Sequence, residues 1–171
     1  PDFFDAGRHT PWGSAIRFDA APVRTFYIEN ALYWLEEFRF DGLRLDAIDQ
    51  IDDPSEEPII EELARAVRSR IPDRHIHLTT EDNRNVANLH VRGLDGRPSL
   101  YTAEWNDDFH HVAHVIATGD RQGYYEDYAD DAAGKLARAL AEGYVYQGEP
   151  SAFREGQAYG EASLELPPTA F

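Results

Sequence analysis

The sequence predicts an α/β fold with parallel strands, on three observations. Segments of alternating apolar residues take turns with segments whose apolar residues recur at helical spacing, and strands separated by helices pair in parallel through right-handed crossovers. Each of the three expected strands ends in polar residues, first Asp46, then Glu81, then Asn106 and Asp107. Ligands of such folds sit at the carboxyl ends of the strands. At 171 residues with 42% apolar content, the chain has the length of about one domain and enough apolar material for a core.

In chain order, residues 1 to 21 read as loop, because Gly7, Pro11, Gly13 and Pro22 act as breakers. Phe3, Phe4, Trp12 and Phe18 lie among them, either as anchors to the core or as platforms beside a cleft. Pro22 suits a first helical turn, and Val23, Tyr27, Ala31, Trp34 and Phe38 carry a helix to about Arg39. Gly42 to Ile48 is the first strand, with Leu43 and Leu45 on the packing face and Arg44 and Asp46 on the other. After an acidic turn at residues 52–57, Ile60, Leu63, Ala64, Val67 and Ile71 mark a second amphipathic helix that Pro72 breaks. His75 to Glu81 is the second strand, with Ile76 and Leu78 on one face and His77, Thr79 and Glu81 on the other. Val86 to Ser99 is irregular, and Leu100 to Trp105 forms the third strand. Phe109, Val112, Ala113 and Ile116 give a helix that stops at Gly119. Ala129, Ala132, Ala133, Leu136 and Leu140 give the last one, capped by Gly143.

Composition excludes several classes. No apolar run is long enough to cross a membrane and no signal segment opens the chain, so a cytoplasmic address is the default. Without cysteine there are neither disulfides nor thiolate metal sites. A formal charge of −16 argues against a nucleic-acid partner and fits a neutral or cationic one. The chain begins at Pro1 without methionine, as expected of something processed or cut from a longer protein.

Arg44, two residues before Asp46 on the same face, can bond that carboxylate and keep it ionised, as a nucleophile requires; a solvated ion pair is the plainer reading. Two carboxylates at the same end of neighbouring parallel strands serve retaining glycoside hydrolysis, which needs them about 5 to 5.5 Å apart. They can equally coordinate Mg²⁺. Glu81 has no cation within two residues and has Asp82 beside it, so it is expected to hold the proton of the pair. His110 and His114 share a helix face and could form a zinc pair with an Asp. The Glu that follows the first His in zinc-protease helices is absent, so neither a metal site nor any cofactor is expected.

Gly42-Leu43-Arg44-Leu45-Asp46-Ala47 resembles the strand-four motif of the α-amylase family of glycoside hydrolases. Trp105-Asn106-Asp107-Asp108-Phe109-His110-His111 is similar to a signature of the maltooligosyltrehalose trehalohydrolases within that family. Similar stretches include Thr10-Pro11-Trp12-Gly13, residues 30–35, Glu81-Asp82-Asn83, residues 140–148 and residues 166–171. The resemblance implies that Asp46 is the nucleophile, Arg44 its orienter and Glu81 the general acid/base. Trp105, Asn106, Asp107, Asp108, His110 and His111 would bind substrate. The implied reaction is hydrolysis, with retention, of the α-1,4 bond next to a terminal trehalose unit, on a substrate supplied by maltooligosyltrehalose synthase. Another α-1,4-glucan hydrolase of the family, a metal-dependent α/β hydrolase and a non-catalytic sugar-binding module are the alternatives.

Two departures stand out. Asp49 and Gln50 replace the Lys-His that many amylases carry after the nucleophile. A complete (β/α)8 TIM barrel takes about 250 residues. Residues 1–171 are therefore expected to be a single, incomplete piece of the catalytic barrel domain, from the helix after strand three to the approach to strand seven. The third catalytic carboxylate would lie outside it, leaving the isolated segment inactive.

Overall fold

The computed structural model describes residues 3–171. Where the sequence predicts loop, Phe4–Thr10 (β1) and Gly13–Ile16 (β2) form an antiparallel hairpin, and the first two residues of that predicted loop lie outside the described range. Pro11 and Gly13 do not interrupt a strand here; they fall at the turn, where Thr10 pairs with Gly13. A register shift between Asp5 and His9 hides the alternation that would have marked the strand.

Helix α1 (Ala21–Glu36) opens on Pro22 and buries Val23, Ala31, Leu32 and Leu35. Trp34 and Phe38, part of the predicted stripe, stay exposed and pack on each other with ring centroids 4.8 Å apart. The helix stops before Arg39, which turns to a positive φ of 58°. Strand β3 (Gly42–Leu45), helix α2 (Ile59–Arg70), strand β4 (His77–Asp82) and strand β5 (Ala103–Asn106) follow. The sheet runs β3-β4-β5, all parallel. Gly42 sits where a Cβ would overlap the His77 carbonyl, so the first residue of β3 has to be glycine for the strands to approach.

Period-two alternation sorts the sheet faces as expected. Leu43, Leu45, Ile76 and Leu78 join Leu32, Leu35, Leu63, Ala64 and Val67 in the main core, while Arg44 and His77 are exposed on the opposite face. Helix α3 (Asp107–Thr118) follows β5 directly. The predicted last helix is split into α4 (Glu126–Ala129) and α5 (Ala132–Glu142), because Asp131 takes a left-handed conformation and caps α5 by accepting from the Gly134 N–H. Val112, Val115, Tyr128, Ala139, Val145 and Tyr146 make a second core. A short pair, Glu149–Pro150 (β6) with Ala158–Tyr159 (β7), was not legible in the pattern. No helix among the described residues is long and apolar enough to cross a membrane.

The helix-facing side of the sheet also buries polar residues. Thr80, Asp82 and Glu104 lie there with His90 and Tyr144. Asp82 is held by the Arg84 guanidinium, and Thr80 Oγ1 lies 3.0 Å from His90 Nε2. The Tyr144 hydroxyl donates to Glu104 Oε2 at 2.8 Å. Burial pushes the Glu104 carboxyl up to about 9, so it is neutral at pH 7. An acid whose folded pKa exceeds its unfolded value contributes stability that falls as pH rises from the unfolded to the folded pKa. The parent protein should therefore lose stability between about pH 4.5 and 9, whereas Glu104→Gln, which stays neutral, should show a flatter melting temperature over that window. Thermal melts of both forms across the range check this; parallel curves would mean that Glu104 does not titrate there.

Candidate active site

Parallel register sets the site. Leu45 pairs with Thr80, so the next residues, Asp46 and Glu81, emerge at the carboxyl ends of adjacent strands. β3 ends at Leu45, short of the predicted Ile48, because Ala47 turns left-handed (φ 47°, ψ 49°) and Ile48–Gln50 form a short 3-10 turn. The turn aims the Ala47 N–H at Glu81 Oε2, 3.1 Å away, which offsets the backbone strain of a non-glycine residue there.

Arg44 lies between the two carboxylates. One guanidinium nitrogen donates to Asp46 Oδ1 at 2.7 Å, and the other lies 2.8 Å from Glu81 Oε1. Its centre sits 5.3 Å from the centroid of the Trp105 ring. This corrects the expectation for Glu81, which is ion-paired even though no cation is near it in sequence. Asp82 is no like-charged neighbour either, since it alternates to the buried face and pairs with Arg84. Asp46 is open to solvent, its side chain 73% exposed, while Glu81 is mostly covered.

The third strand end is more divided than its sequence suggests. Trp105 pairs with Glu81 in register and is exposed. Asn106 caps α3, accepting the Phe109 N–H at 2.8 Å, so its side-chain oxygen is taken by the helix. Asp107 faces the site; burial, and next the charge of Glu81, push its carboxyl up to about 7, and its Oδ1 is buried without a partner. His110 Nε2 lies 3.8 Å from that oxygen. His111 stacks on Tyr124 with centroids 4.5 Å apart, and burial holds it at about 4.

Asp108, expected beside the substrate, is 1% exposed and structural. It accepts from Asn85 Nδ2, the backbone N–H groups of Val145 and Tyr146, and the hydroxyls of Tyr128 and Tyr159. Neighbours in sequence thus diverge because the first turn of a helix sends them about 100° apart. This tyrosine-rich network is absent from the sequence reading, and no spacing announces it.

His110 and His114, weighed above as a zinc pair and set aside, have different partners. His114 turns to Asp120, 3.6 Å away, and stacks on Tyr125. Asp107, His110 and His111 instead bring one potential ligand atom each within 4.8 Å of one another. On the other side of Asp46, the hairpin forms the wall of an open cleft of about 450 Å³, lined by Phe4, Trp12, Phe18, Asp46 and Gln50. A broader hollow of about 740 Å³ runs along Trp105, Phe109 and His110 to Leu140, Leu164 and Phe171.

A parallel sheet with two acidic strand ends bridged by an arginine, beside a cleft with exposed aromatic rings, has the form of an α-amylase-type glycoside hydrolase site. The comparisons with known proteins agree. No family model matches the chain. Over 149 residues it is 41% identical to the malto-oligosyltrehalose trehalohydrolase of Mycobacterium tuberculosis, covering 84% of this chain and 25% of that protein. It is 35% identical over 165 residues to the enzyme of that name from Saccharolobus solfataricus, covering 93% of this chain and 28% of that protein. A crystal structure of a candidate alpha amylase from Salmonella typhimurium matches 99% of this chain and 29% of its own, with 54% identity and a TM-score of 0.94. The chain spans about a quarter of the length of the curated relatives it matches. Over most of its own length the chain is similar to one segment of the malto-oligosyltrehalose trehalohydrolases, and its fold is close to that of an α-amylase.

The two adjacent aspartates should respond differently to mutation. Asp108→Ala strands several buried donors at about 1–3 kcal/mol each and should destabilise the parent protein by more than about 3 kcal/mol. Asp107→Asn removes a carboxyl whose ionisation the fold opposes and should leave stability at pH 8 unchanged or higher. Denaturant unfolding of both variants decides it; equal losses would contradict the assignment.

Proposed function

We propose that the parent protein is a retaining glycoside hydrolase that cleaves the α-1,4-glucosidic bond next to the terminal trehalose unit of a maltooligosyltrehalose and releases trehalose. The observation that carries this reading is Arg44 holding Asp46 and Glu81 together at the ends of adjacent parallel strands. The names of the relatives support the substrate. Asp46, exposed and oriented by Arg44, attacks the anomeric carbon, while Glu81 gives a proton to the departing glycosidic oxygen. A water then hydrolyses the glycosyl-enzyme, and Glu81 takes its proton back.

The resting ion pair sets a condition on this cycle. Glu81 must deliver a proton to the glycosidic oxygen in the first step, and in the resting site the Arg44 guanidinium occupies its Oε1 at 2.8 Å. The incoming glycosidic oxygen therefore takes the place of Arg44 at Glu81, and Arg44 stays on Asp46, where it orients the nucleophile. Trp105 and Trp12, both exposed, offer ring faces to sugars on either side of Asp46. Gln50 lines the cleft where many amylases have a cationic pair, so the leaving sugar meets an amide there. A cytoplasmic setting, with maltooligosyltrehalose synthase supplying the substrate, completes the proposal.

Asp46→Asn should abolish turnover even for an activated glycosyl fluoride. Glu81→Gln should lower kcat on the natural substrate by about 10²- to 10⁴-fold, yet form a trapped intermediate from the fluoride. Mass spectrometry of the trapped protein locates the sugar; an adduct on Glu81, or near-normal turnover by Asp46→Asn, would overturn the roles. Chromatography of the products from maltooligosyltrehalose tests the specificity, and glucose or maltose in place of trehalose would favour another α-1,4-glucan hydrolase of the same family.

A further inference from the structure

We propose that Asp107, His110 and His111 form a binding site for a single divalent transition-metal ion of the zinc type, taken by one carboxylate oxygen and one ring nitrogen from each histidine. Nothing in the hydrolytic cycle above calls for such an ion, so this is a separate property of the same end of the sheet.

The geometry is the first support. The three ligand atoms lie within 4.8 Å of one another, and the Asp107 to His110 separation is already 3.8 Å. Ligands about 2.0–2.2 Å from a tetrahedral zinc lie roughly 3.3 Å apart. The Asp107–His110 pair is about 0.5 Å from that spacing and the remaining pairs at most about 1.5 Å from it.

A second support is independent of the cluster. Asp107 Oδ1 is buried and accepts no hydrogen bond, whereas the neighbouring Asp108 carboxylate is saturated. A buried carboxylate oxygen without a donor is costly, and a cation would satisfy it.

The electrostatic balance also favours a cation. The start of α3 is the positive end of a helix, and Arg44 lies across the site. Against them stands the acidic side chain of Glu81 at the neighbouring strand end, in register with Trp105 two residues before Asp107. Two imidazoles and one carboxylate suit zinc, cobalt, nickel or copper better than magnesium or calcium, which prefer oxygen ligands throughout. Three protein ligands leave a coordination position open. Because the same side chains border the proposed sugar site, an ion there competes with substrate; that consequence alone rests on the proposed hydrolase function.

The test uses the chelator-treated parent protein titrated with Zn²⁺ alone by calorimetry. The expected result is an ion whose affinity falls about 10- to 100-fold or more in His110→Asn and in His111→Asn, and is unchanged in His114→Gln. Co²⁺ should give the visible absorption of a low-coordinate nitrogen and oxygen site, lost in the same two variants. If His111→Asn does not fold, the half-exposed His110 carries the test by itself. Absence of binding, binding indifferent to His110, or an equal loss in His114→Gln would overturn the proposal. An active hydrolase that binds no zinc would refute this site and leave the glycosidase reading standing; a zinc-binding protein without glycosidase activity would do the reverse.

Discussion

One guanidinium organises the carboxyl end of this sheet. Arg44 reaches from β3 to Asp46 on its own strand end and to Glu81 on the next, and it lies over Trp105 of the third. Three strands are thereby tied together at the end where the backbone ladder stops. A cation between the two acidic side chains fixes both by direct contact, at 2.7 Å to Asp46 and 2.8 Å to Glu81. In the proposed cycle, Glu81 has to be released from this contact before it can act as an acid. Pre-organisation and inhibition of the resting site are then the same contact.

The turn at Ala47 is what lets Arg44 do this. Had β3 run on to Ile48, as the apolar pattern suggests, the Ala47 N–H would lie in the strand ladder instead of pointing at Glu81. The left-handed residue ends the strand one residue before Asp46, leaving that side chain exposed while Ile48 drops into the core. A non-glycine residue carries a steric cost at such a backbone position, which only glycine and, less often, Asn or Asp visit routinely.

The framework was legible because it rests on local periodicity. The parallel strands, the two faces of β3 and β4, the position of α2 and the cap at Gly143 all follow from spacing and from glycine or proline. Long-range pairing was not legible. The salt bridge from Arg44 to Glu81 joins residues far apart in sequence, and Asp108 gathers donors from Asn85, Tyr128, Val145, Tyr146 and Tyr159. Asp107 and Asp108 are chemically identical side by side, so only the helix turn that separates them tells which one meets the cleft. The hairpin was missed for a different reason, since its irregular register removes the period-two signal from β1.

That hairpin is fastened in two unlike ways. At its base, Ile16 and Phe18 pack with Phe3, Val23 and Ile59. Higher up, Arg8 ties it to Asp52 at 3.2 Å and Asp19 at 3.5 Å, beside its own strand's Asp5. Dissolved ions screen the second kind of attachment and leave the first almost untouched. The wall carrying Trp12 therefore rests on two supports with opposite responses to salt, an apolar seam that dissolved ions leave in place and a set of charged contacts at Arg8 that they weaken.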